Sequence, residues 1–110
     1  MNAELALLRK EREARRKLIV DCSKRVDGLE ALVQTFIQDV QLAEKTNTIG
    51  KERAQFQERA NLLNSQGTVH ILKVDSIQAT SEEERPKARS ERKKLVQRIE
   101  ACSAKLLSFA

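Results

Sequence analysis

Ile19, Cys22, Val26, Leu29, Val33, Phe36, Val40 and Ala43 follow one another at alternating steps of three and four, and every member of the set is apolar. That spacing puts all eight side chains on one face of a helix, as a heptad seam. Upstream, Leu5 and Leu8 keep the register while the residues around them turn to Arg, Glu and Lys. The pattern predicts a first helix over about 2–45. Thr46-Asn47-Thr48-Ile49-Gly50 reads as a turn, with Gly50 the natural residue for a left-handed backbone. Phe56, Ala60, Leu63, Val74 and Ile77 then mark a second helix over about 51–79. Its weak place is Asn64-Ser65-Gln66-Gly67-Thr68, because a glycine inside a helix costs about 1 kcal/mol relative to alanine. Val69 to Val74 has strand propensity, but no other segment of the chain offers it a partner. Ser81 and Glu84 have capping-box spacing, and Pro86 suits a first helical turn, so a third helix is expected over about 82–109. Its seam is Leu95, Ile99, Cys102, Leu106 and Phe109.

Three amphipathic helices joined by short turns make an all-α, antiparallel three-helix bundle. Residues 1–18 are expected as a charged helical extension, and 19–110 as the three-helix domain. At about 1.5 Å per residue the first helix is far longer than the other two. About fifteen N-terminal residues then lack a partner within one chain, and a homodimer that covers them is a natural expectation.

Composition narrows the functional classes. No run approaches the roughly 20 apolar residues of a membrane span. The chain of 110 residues has one histidine, two cysteines, three glycines and one proline. No nucleophile elbow, zinc-protease or phosphate-loop motif occurs in it. His70 has no second histidine for a metal, and Asp75 lies five residues away, off the helical neighbour position. Neither an enzyme nor a cofactor or metal is expected. Cys22 and Cys102 stand too far apart in sequence for a zinc motif and read as small apolar core residues. The N-terminal residues lack a signal-peptide core, so cytoplasm, with the nucleus as second compartment, is the expected location. The formal net charge is +5, and the excess lies at both ends of the chain. Arg9, Lys10, Arg12, Arg15, Arg16 and Lys17 form a basic run, but interleaved glutamates and the want of stacking aromatics speak against nucleic acid as partner.

On the third helix, Arg89, Arg92, Lys93, Val96 and Glu100 form a stripe beside the core seam. It is a polar docking face or a solvated one. The run Arg92-Lys93-Lys94-Leu95-Val96-Gln97-Arg98-Ile99-Glu100 resembles the end-helix motif of the BAG domain family. Val74-Asp75-Ser76-Ile77 resembles the element that closes that family's second helix, and a proline-containing turn falls between the two. The resemblance is clear over about 74–102, weaker over 26–73 and absent over 1–18. It implies a three-helix co-chaperone that binds the nucleotide-binding domain of seventy-kilodalton heat-shock chaperones and promotes ADP/ATP exchange. It also implies that Asp75 accepts bonds from chaperone cations, that Arg92 pairs with a chaperone carboxylate, and that Lys93 and Val96 flank it. Glu100 stands where the family usually has Gln, and Ser65 falls where it has a Glu. The competing expectation is a coiled-coil assembly protein that acts through helix–helix association.

Overall fold

The computed structural model describes residues 2–107 and 109. It contains three helices: α1 (Asn2–Lys45), α2 (Ile49–Val74) and α3 (Arg85–Leu106). They form a rod of 68 × 16 × 16 Å. The long dimension is close to that of a straight 44-residue helix, so α1 sets the length and α2 and α3 lie along it.

The heptad seam is the core. Cys22, Val26, Leu29, Val33, Phe36, Val40 and Ala43 are all buried, and Ile19 packs at the edge. α2 contributes Phe56, Ala60, Leu63, Gly67 and Val74, and α3 contributes Ala88, Leu95, Ile99, Cys102 and Leu106. The seam is thus filled by the chain's own second and third helices, which is the opposite of what an assembly coiled coil would need. Both cysteines are buried and unbridged, and burial pushes each thiol above its usual pKa.

Several boundaries differ from the expected ones. The turn after α1 is a Schellman motif in which Thr48 N–H donates to Ala43 O at 2.9 Å and Asn47 N–H to Glu44 O at 3.3 Å. The left-handed residue is Asn47, with φ 59°, and not Gly50, which already lies in α2. Asparagine tolerates that conformation through its short polar side chain. α2 stops at Val74, five residues early, and Ile77 is buried from the connection rather than from a helix. α3 begins at Arg85, not at 82. Ser81 Oγ does accept from Glu84 N–H, at 3.2 Å, but Glu84 does not reach back to complete a capping box. Its carboxylate turns inward to α1. α3 ends at Leu106, three residues early, yet Phe109 still lays its ring edge-on to Phe36 at 5.3 Å.

The glycine expected to weaken α2 sits at a close approach of all three helices. A Cβ on Gly67 would lie 3.2 Å from Ile99 Cγ2 and 3.6 Å from Leu29 Cδ2. The helix runs through it without a break.

The N-terminal half of α1 has partners too. Glu11 accepts from Thr80 N–H at 2.6 Å and from Thr80 Oγ1 at 2.7 Å. Arg12 and Arg15 bind Glu84. The stretch without tertiary contacts of this kind is therefore shorter than the fifteen residues expected, which takes away part of the argument for a second copy.

Candidate functional site

α2 ends where α3 begins, and the two helices are antiparallel, so the 75–80 connection folds over the first turns of α3. Asp75 is the C-cap of α2, and its backbone N–H donates to Ile71 O at 2.9 Å. Its carboxylate projects from the end of the helix and makes no ion pair among the described residues. Arg85, Arg89 and Arg92 lie four and three residues apart on one face of α3. Together with Asp75, Gln78 and Ala79 they line an open groove of about 420 Å³.

Three of the six expected residues, Asp75, Arg89 and Arg92, thus meet in one groove. Lys93, Val96 and Glu100 do not line it; they follow it along α3 for about 12 Å, two turns of helix. Lys93 and Glu100 are exposed, and Val96 is half-buried with one side against the core. Arg89, Lys93 and Glu100 have no ion-pair partner among the described residues. Ser65 is exposed on α2, where its hydroxyl donates to Asn61 O at 3.0 Å.

Arg92 is different from its neighbours. It is half-buried, and its Nη1 donates to the Ile77 carbonyl. That bond ties the connection to α3 and fixes the direction of the guanidinium, leaving its other nitrogens for an outside acceptor. Planar guanidinium suits that double duty because its five donors leave in a fixed fork.

Arg85 and Gln78 were not anticipated in the groove. The signal for Arg85 was the same helical step that selected Arg89 and Arg92. Gln78 had none, because its place depends on α2 stopping early. Arg98, inside the sequence motif, is spoken for within the fold. It binds Asp27 at 2.6 Å and Glu30, both on α1, and these carboxylates raise its pKa further above the ordinary arginine value. It braces α3 against α1.

The BAG domain family pattern matches residues 19–106 of this chain. The chain belongs to the BAG domain family. BAG domains are those of co-chaperones, which bind the nucleotide-binding domain of seventy-kilodalton heat-shock chaperones; the family is not one of enzymes. No curated protein and no solved structure matches the chain. The matched span takes in the whole of α2 and α3, the groove between them and the seam of α1 from Ile19 onward, while Arg12, Arg15 and Arg16 precede it.

Proposed function

We propose that this BAG domain docks on a chaperone nucleotide-binding domain through the Asp75–Arg89–Arg92 groove and the α3 stripe beyond it, and that docking speeds the exchange of ADP for ATP. The observation that carries the reading is the convergence of Asp75, Arg89 and Arg92 on one groove inside the matched span. A carboxylate and several guanidinium groups side by side give a partner both signs of charge to read. Charge-assisted bonds of this kind are the strong ones, and the like-charge contacts they forbid supply specificity. Exchange follows as differential affinity. A protein that prefers the opened nucleotide cleft shifts the chaperone toward it, and ADP leaves faster. Every step here is non-covalent.

Calorimetric titration against a chaperone nucleotide-binding domain tests the docking residues. Arg92→Ala should weaken binding by about 2 kcal/mol, as truncation of a central charged anchor does. It also removes the bond to the Ile77 carbonyl, so Asp75→Asn, which breaks no internal bond, is the companion variant. Asp75→Asn should weaken binding with an unchanged melting temperature. Glu100→Gln restores the family's usual residue and should tighten binding, because Gln both donates and accepts where Glu only accepts. Unchanged affinity in both Arg92→Ala and Asp75→Asn would remove this groove from the interface.

A further inference from the structure

A second pattern runs along α1 and α2, on the side of the bundle away from α3. On α1, Asp21, Arg25, Gly28, Leu32, Thr35 and Asp39 follow one another at steps of four and three. On α2, Arg59, Leu62, Gln66, Val69 and Lys73 do the same, so each set is a stripe on one helix face. Ion pairs join the two stripes at both ends. Lys73 Nζ lies 3.3 Å from Asp21 Oδ2, and Arg59 Nη2 lies 2.9 Å from Asp39 Oδ2. The stripes therefore lie side by side and antiparallel, with Gly28 and Leu32 level with the segment from Leu62 to Val69. The approach of Leu29 Cδ2 to Gly67 fixes the same level. α3 packs on the other side of each helix, where Asn64 of α2 bonds Ser103 and Asp27 and Glu30 of α1 bond Arg98.

The middle of this double stripe is apolar and open. Leu32 is 50 % exposed, Leu62 60 % and Val69 59 %, although each stands beside the core. Between them Gly28 leaves a notch: it is exposed, and a Cβ built on it meets nothing within 4 Å. Beyond the Asp39–Arg59 pair, Leu42 carries the face on into an open groove of about 460 Å³. An apolar middle framed by charged ends is the anatomy of a protein–protein interface.

We propose that this face binds a second copy of the same chain, with the two rods parallel about a two-fold axis that runs along them. Charge complementarity selects both the occupant and the orientation. An axis along the rods sets α1 of one copy against α2 of the other at unchanged level. Asp21 then faces Lys73 of the second copy, Asp39 faces its Arg59, and its Val69 enters the notch at Gly28. The reverse orientation, α1 against α1, sets Asp21 against Asp39 and Lys73 against Arg59, and like charges across an interface are costly. An isologous face of this kind closes at two copies. Its size fits a reversible dimer. α2 has 26 residues, hence a length of about 39 Å. Over a rod 16 Å wide that gives roughly 600 Å² per copy, at the lower limit of stable specific interfaces. The Asp75–Arg89–Arg92 groove belongs to the α2–α3 side, so both copies of it stay open, at the same end of the pair.

The test is sedimentation equilibrium of the whole chain over a range of concentrations, with two variants and one cross-linking experiment. The wild type should show a reversible monomer–dimer equilibrium with a dissociation constant on the order of tens of micromolar. Leu62→Glu should weaken it at least about tenfold, because the new carboxylate would be buried against Leu32 and beside Asp39 of the second copy. Gly28→Lys, which fills the notch, should do the same. Both positions are exposed in the single chain, so the circular dichroism of dilute samples should stay that of the folded helices. For orientation, Gly28→Cys chains are mixed with size-tagged Val69→Cys chains under a mild oxidant. Disulfides between the two different variants are expected. Monomer alone at about 1 mM chain would overturn the proposal. So would a dimer that survives Leu62→Glu and Gly28→Lys, which would place the contact elsewhere, for instance on Leu5 and Leu8. Preferred disulfides between two Gly28→Cys chains would show the reverse orientation and overturn it equally.

Discussion

Gly67 and Gly28 are both inside helices, and the same substitution should act on them differently. Gly28 has nothing within 4 Å of a built Cβ, so Gly28→Ala should stabilise the fold by about 0.5–1 kcal/mol through the restricted unfolded chain. At Gly67 the added methyl meets Ile99 Cγ2 at 3.2 Å, on a fully buried and stiff β-branched side chain. Gly67→Ala should therefore fall below Gly28→Ala by at least about 1 kcal/mol in chemical denaturation. Equal gains would mean that the helices have room to separate. In the sequence alone Gly67 is a propensity defect, since a glycine's purpose shows only when its neighbours in space are known. Arg15 and Glu84 were hidden for a related reason. Each looks like a solvated charge on its own helix, and only the seam register, carried through polar residues, points to a buried pair. Burial raises the Glu84 carboxyl pKa, but its bonds to Arg15 and Arg12 outweigh that and hold it below the usual glutamate range. The pair's contribution is complete above the unfolded-state value and is lost as pH falls through the lowered folded one. The melting temperature should thus drop as pH falls below the ordinary glutamate value, and Glu84→Gln, less stable at neutral pH, should flatten that drop. A parallel, unflattened acid curve would show that the pair does not hold the fold.

At the scale of elements, the three helices and their seams were legible because buried positions recur with a period that no solvated helix needs. Their ends were less so. Ends depend on which groups finish the backbone hydrogen bonding, and here tertiary contacts decide. α2 stops at Val74 while Ile77 still enters the core, because the chain must cross to α3 and the Arg92 bond to the Ile77 carbonyl holds that crossing. α3 starts late because Glu84 serves α1 instead of its own helix end. The α1–α2 turn was placed correctly but assigned to the wrong residue. With Asn47 at φ 59°, Asn47→Gly should stabilise the protein by roughly 0.5 kcal/mol, since glycine takes the left-handed conformation without steric cost. Gly50→Ala should not show the loss expected of a left-handed glycine, because Gly50 lies in α2 and a Cβ there meets nothing within 4 Å. Thermal unfolding of the two variants side by side checks the assignment.

The whole molecule is a rod, and two charged grooves take lining residues from the α2–α3 connection and the first turns of α3. The Asp75–Arg89–Arg92 groove lies within the family span and the Arg15–Glu91 groove draws on the extension before it. That Arg89 and Arg92 share one face of α3 could be read from their spacing. Their meeting with Asp75 in one groove could not, because it needs the connection to fold back. The most direct measurement of the central claim is the release rate of fluorescent ADP from a chaperone nucleotide-binding domain as this protein is added. The account predicts faster release that saturates with dose and is lost in Asp75→Asn. An unchanged rate at concentrations where calorimetry detects docking would contradict the exchange activity, and an unchanged rate with no docking would contradict the chaperone interaction itself.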